Sequence, residues 1–73
     1  MSKKTPTAEQ VAAAIFQAQG RFDVPKPCGE ASFLDFVNDV GVEVARSNFE
    51  KIMGMLSWGK SLEEVTRKLK EGQ

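Results

Sequence analysis

The chain has 73 residues, which is enough for one domain near the lower size limit for an apolar core without other support. Ten basic residues balance ten acidic ones, so net charge gives no overall attraction to nucleic acid or to an anionic membrane. Histidine, the commonest general base and metal ligand, is missing, and Cys28 is the single cysteine. We therefore expect no enzyme, no catalytic residue, no metal site, no cofactor, no small-molecule substrate and no internal disulfide.

The longest apolar run, VAAAIF, is far too short to cross a membrane. The start Met-Ser-Lys-Lys is basic but is not followed by the apolar core of a signal peptide. We therefore expect no membrane partner and a cytoplasmic location. Residues 1–6 are polar and predict a flexible tail, and residues 7–73 predict a single helical domain.

A first helix is predicted from Thr7 to about Gln19. Thr7 and Gln10 have the spacing of a capping box, in which each side chain binds the backbone N–H of the other residue. Three consecutive alanines favour helix, and Gly20 is a natural stop. The apolar stripe of this helix consists of Val11, Ile15 and Ala18.

Residues 21–30, RFDVPKPCGE, predict a long loop. Pro25 and Pro27 forbid a continuing helix and hold the chain extended. Phe22 and Val24 lie on the same side of an extended backbone, so we expect both to cover the core. A loop of this length in so small a domain is often functional.

A short helix that is dense in phenylalanine is predicted over residues 31–40. Its apolar side chains recur at helical spacing, and Gly41 ends it. The next five residues, VEVAR, leave three structures open: a strand, a bent linker, or an early start of the next helix. The apolar residues of the predicted helix are Phe33, Phe36, Val37 and Val40.

Two more amphipathic helices are predicted over residues 47–58 and 61–70. Each begins with a serine that is followed three residues later by a glutamate, which is again the capping-box spacing. Gly59 separates them because glycine adopts the left-handed conformation that ends a helix. Their apolar stripes are Phe49, Ile52, Met53 and Leu56 in the first helix, and Leu62, Val65 and Leu69 in the second.

These patterns together predict an all-α fold, a compact bundle of about four short helices with a proline-containing extended loop at 21–30. None of the helices is long enough to be stable alone, so each needs a partner surface. We expect the stripes on 11–18, 33–40, 49–56 and 62–69 to converge on one core.

The run IMGMLSWGKSLEEVTRKL resembles the opening of the helix-turn-helix unit in the LuxR-type response-regulator family. There an apolar helix is followed by a Gly-Lys-Ser turn and by a helix that contains Glu-Ile or Glu-Val. The resemblance implies DNA binding, although in that family a third helix reads the bases. The matching positions are Ile52, Leu56, Gly59, Lys60, Ser61, Glu64, Val65 and Leu69.

A helix-turn-helix unit can also be aligned with the sequence in a second way, in which the helix that contacts the bases (the reading helix) follows Gly41. That helix would carry Arg46, Asn48 and Lys51, whose side chains can donate hydrogen bonds to bases and phosphates. The balanced charge makes the phosphate contribution small. A DNA-binding transcriptional regulator is therefore the alternative hypothesis, with DNA as its partner.

A protein-binding surface is the leading hypothesis. Trp58 lies in the predicted tight turn, where a large aromatic side chain either covers the core or projects as a binding anchor. We favour the cover for this side chain. We expect most of the three methionines in the core, and Met53 or Met55 would add an adaptable binding surface if exposed. Basic residues of the tail and of the last helix form an edge for an acidic partner. The predicted partner-binding residues are Lys3, Lys4, Trp58, Lys60, Arg67, Lys68 and Lys70.

In its length, balanced charge and lack of active-site chemistry, the chain is similar to the small host-takeover proteins that bacteriophages encode, including short antitermination proteins that bind RNA polymerase. The resemblance implies a non-enzymatic regulator in the host cytoplasm. The partner that it implies is a large host complex, with RNA polymerase as the first candidate, and the implied effect is modulation of transcription.

Overall fold

The computed structural model describes residues 6–72, and within that range the chain forms five α-helices and no strand. The predicted all-α bundle is confirmed, with one helix more than expected. No helix within the range is both long and apolar enough to cross a membrane. The helices are α1 (Ala8–Arg21), α2 (Glu30–Val40), α3 (Val42–Ser47), α4 (Phe49–Ser57) and α5 (Leu62–Glu71).

Each of the four predicted apolar stripes contributes residues to the core. The two longest helices, α1 and α2, pack along each other; α1 also contacts α3 and α4, and α5 contacts α2 and α4. The radius of gyration is 11.6 Å, close to the value of about 11 Å for a compact chain of this length. The buried apolar residues are Val11, Ala12, Ile15, Ala18, Phe33, Phe36, Val37, Ala45, Ile52, Met53, Leu56, Val65 and Leu69.

The predicted capping box at the start of α1 is confirmed. The Gln10 backbone N–H donates to Thr7 Oγ1 over 3.2 Å, and the Thr7 N–H donates to Gln10 Oε1 over 3.0 Å. At α5 the first half of the box forms, because Ser61 Oγ accepts from the Glu64 N–H over 3.2 Å. The Glu64 carboxylate accepts instead from the Lys60 ammonium, also over 3.2 Å.

The prediction of a helix that starts at Ser47 is wrong. Ser47 is the last residue of α3, so the segment that stayed open in the sequence forms a helix of its own. Asn48 separates α3 from α4, with a non-helical ψ of 23°. Its side-chain Nδ2 donates to the Val44 carbonyl oxygen over 2.8 Å, and this local bond competes with continuation of the helix.

The prediction that α1 stops at Gly20 is also wrong. The helix continues to Arg21 and ends at a turn in which Asp23 has a φ of 52°. The Val24 N–H donates to the Gln19 carbonyl oxygen over 3.2 Å, the closing bond of a helix end whose left-handed position is occupied here by aspartate.

The loop between α1 and α2 covers residues 22–29 and is held by Gln19. This side chain is 8% exposed, and its amide donates to the Cys28 carbonyl oxygen over 2.8 Å and accepts from the Cys28 N–H over 3.1 Å. Val24 packs against the core as expected, but Phe22 is 40% exposed, contrary to its predicted role. The two hydrogen bonds between Gln19 and Cys28 therefore hold the far end of the loop, while the apolar residues of the loop cover the core only in part.

We predict that Gln19→Ala lowers the free energy of unfolding by about 1–3 kcal/mol, because it leaves the backbone N–H and C=O of Cys28 without partners in a partly buried place. The measurement is urea unfolding followed by helical circular dichroism. Gln17→Ala is the matched control, since Gln17 is exposed on the same helix and should change stability by less than about 0.5 kcal/mol. Equal effects of the two substitutions would contradict the structural role of Gln19.

Candidate partner-binding surface

Trp58 follows the last residue of α4 and is 86% exposed. The prediction that it covers the core is therefore wrong. The physical reason is the helical phase: at about 100° per residue, Trp58 lies about 200° around the axis from Leu56, which faces the core. The Trp58 backbone N–H donates to the carbonyl oxygens of Gly54 and Met55, each over 3.2 Å, so Trp58 completes the last turn of the helix and keeps this phase.

A second stripe runs along the outer face of α4 and ends at Trp58. Lys51, Gly54, Met55 and Trp58 have the spacing i, i+3, i+4 and i+7, which places them on one side of a helix. Together with Lys60 they line an open depression of about 460 Å³ whose walls are mainly apolar. We call this depression the Trp58 groove.

Gly54 forms the floor of the Trp58 groove. Apart from its two chain neighbours and the backbone of its own helix, a Cβ atom at this position would meet no atom within 4 Å. Glycine in the middle of a helix is about 1 kcal/mol less favourable than alanine. Because neither close packing nor a positive φ requires glycine here, what this residue provides is space above the helix backbone.

Two ammonium groups stand at the Trp58 groove, and they differ in their surroundings. Lys60 Nζ lies 3.2 Å from Glu64 Oε2, with both side chains about one-third exposed. No carboxylate of residues 6–72 lies within 4.0 Å of the Lys51 ammonium. The groove therefore combines an apolar floor with a positive charge that this part of the chain does not neutralise.

The structure brings only Trp58 and Lys60 of the predicted partner-binding residues into this groove. Lys68 and Lys70 lie near the other end of α5, about 9 Å and about 12 Å along the helix axis from its first residue. The Lys70 ammonium there lies 2.9 Å from Asp39 Oδ1 on α2, with both side chains about half exposed.

The other predicted basic residues do not extend the groove. Arg67 lines a separate polar depression together with Ser61, Glu63 and Glu64, so its charge stands among carboxylates. Lys3 and Lys4 lie outside the described residues, as does the predicted tail except for Pro6. The basic edge is thus divided among several local environments.

The residues of the DNA-binding alternative lie on three different elements. Arg46 is in α3, where its guanidinium lies 3.7 Å from the Glu43 carboxylate. Asn48 lies between the helices and donates to the Val44 carbonyl, while Lys51 is in α4 at the Trp58 groove. The reading helix that would have joined them is interrupted at Asn48.

Gly54 was not predicted as part of a site, and Met55, which is partly buried against the core, was expected to add an adaptable surface only if exposed. A signal for them exists in the sequence, since Lys51, Gly54, Met55 and Trp58 recur at helical spacing on the side opposite the buried stripe. Apolar stripes are ordinarily assigned to the core, and the sequence does not show which of two stripes on one short helix is covered.

No group of three or more metal-binding side chains that could hold an ion occurs within residues 6–72. Comparison of the chain with models of known protein families, with curated proteins and with solved structures finds no significant match. The features of the molecule that bear on function are therefore those of its own surface.

We predict that Gly54→Ala raises the free energy of unfolding by about 1 kcal/mol, because alanine fits the open space and the helical backbone. The same substitution at Gly59 should lower it by about 1–2 kcal/mol, since Gly59 has a φ of 93° that L-residues adopt at a cost. Urea unfolding of the two variants measures both effects. A loss of stability in Gly54→Ala would show that the groove floor is structurally required.

Proposed function

We propose that the chain is a small non-enzymatic regulator that binds a large protein complex in the cytoplasm through the Trp58 groove. The observation that carries this proposal is the 86% exposure of the only tryptophan, beside Met55 and above a glycine floor. Tryptophan is enriched among the residues that dominate binding energy at protein interfaces, where its loss costs about 2 kcal/mol or more.

Charge and geometry favour a protein partner over DNA. The ten basic and ten acidic residues balance, and the groove walls are mainly apolar, whereas DNA-binding surfaces are polar and strongly positive. Asn48 already donates to a backbone carbonyl, and Arg46 stands beside Glu43. The bond to Val44 engages one donor of Asn48, and the Glu43 carboxylate lowers the positive potential at Arg46.

RNA polymerase is the first complex to test, and modulation of transcription is the proposed effect. This choice is supported by the similarity in length, charge balance and lack of active-site chemistry to phage proteins that redirect host transcription. Any partner that buries Trp58 needs a complementary apolar site, so this requirement holds whichever complex is the partner.

The test is affinity capture of polymerase by the intact chain from a nuclease-treated bacterial lysate, followed by titration with purified RNA polymerase. We expect recovery of polymerase subunits in stoichiometric amounts. Trp58→Ala should weaken binding roughly 30-fold, the equivalent of about 2 kcal/mol. Phe16→Ala is the matched control, because Phe16 is an exposed aromatic residue on α1 and should leave affinity within about twofold.

A different result distinguishes the alternative. If the chain retains no protein after nuclease treatment but retains DNA without it, and Arg46→Ala with Lys51→Ala abolishes that retention, the chain is a DNA-binding regulator. Polymerase binding that Trp58→Ala leaves unchanged would instead refute the Trp58 groove as the interface.

A further inference from the structure

The Trp58 groove is specific enough to indicate the chemistry of the segment that it receives. We propose that it binds a short acidic peptide segment of the partner, with one bulky apolar side chain over Gly54 and a carboxylate at Lys51. This inference rests on the proposed function and adds to it the nature of the partner's contact element. It follows from three properties of the groove: its floor, its walls and its charge.

The floor accepts a side chain because Gly54 has none. The position is part of α4, and the space where a Cβ would stand is open. A partner side chain placed there contacts the helix backbone directly and touches Met55 and Trp58 on the way in. Methionine adapts its shape to different apolar groups, and the indole adds a large flat surface. An aliphatic or aromatic side chain therefore fits this place.

The charge at the groove selects what flanks that apolar side chain. Lys51 has no carboxylate within 4.0 Å among residues 6–72, whereas Lys60 is already paired with Glu64. A partner carboxylate at Lys51 completes the pairing without displacing Glu64. Such a charge pair at the exposed rim contributes mainly specificity and association rate, while the apolar contact supplies most of the affinity.

The same features argue against two other occupants. A second copy on a twofold axis through the groove would place the same lining on both sides, and that lining has two lysines and no carboxylate to pair with Lys51. A nucleic-acid strand would bring a continuous line of phosphates past Glu64 and over mainly apolar walls. A peptide can place a single carboxylate where the positive charge is, and an apolar group where it is not.

Trp58 is also the reporter for the test, because it is the only tryptophan and its emission responds to burial of the indole. The probe is a library of random seven-residue peptides displayed on phage and selected on the intact, immobilised chain. We expect the selected peptides to share one leucine, isoleucine, methionine or phenylalanine next to aspartate or glutamate. Synthetic copies of them should shift Trp58 emission on titration.

Variants then test each contact separately. Lys51→Glu should weaken the acidic peptides about fivefold to tenfold, and replacement of the peptide carboxylates by lysine should restore the affinity. Gly54→Leu should weaken them about tenfold or more, because the new side chain occupies the floor while circular dichroism confirms that the helices remain. Lys68→Glu, on the exposed end of α5, is the charge-matched control and should change affinity by less than about twofold.

Several results would overturn the inference. These are a peptide consensus without acidic residues, an affinity that Lys51→Glu leaves unchanged, or preferential binding of oligothymidylate with the same emission shift. Dimerisation of the chain that Trp58→Ala abolishes would also overturn it. Polymerase binding that depends on Trp58 but not on Lys51 refutes the peptide chemistry alone, whereas loss of polymerase capture with intact peptide binding refutes the proposed partner alone.

Discussion

Burial of one face of α4 is the constraint on which the rest of the structure depends. This helix has only nine residues, yet it contacts α1, α3 and α5 and buries Ile52, Met53 and Leu56. A helix so short is not stable alone, so these contacts also fix its rotation. Once the inner stripe is fixed, helical spacing leaves Lys51 and Trp58 exposed and Met55 partly buried beside the core. The core and the candidate binding surface are thus two consequences of the same packing.

The long loop supports this surface from the side. Gln19 holds the loop at Cys28, and on the way the chain passes Gly59, where Pro25 Cγ would lie 3.8 Å from an added Cβ. The turn that follows Trp58 is therefore in ordinary contact range of the loop. Two segments that look like simple connections in the sequence therefore lie next to each other beyond the end of α4.

Much of the fold is predictable because local and global preferences agree. The Thr7 capping box, the end of α2 at Gly41 and the positive φ of Gly59 follow from spacing and residue type alone. The break at Asn48 does not, because VEVARSNFE has no proline or glycine, and an asparagine there can either continue the helix or bond back to the carbonyl oxygen four residues earlier. The helical phase of Trp58 relative to the buried residues could have predicted its exposure. The size and apolar character of its side chain favoured a place in the core instead.

Gly54 and Trp58 are the two places where α4 departs from what stability alone would select. Alanine would hold the helix better at position 54, and a polar residue would cost less than an exposed indole at position 58. Real proteins break such local rules mainly at functional sites. The two departures are four residues apart on the same face and line the same depression, so the proposed binding surface would account for both with a single cause.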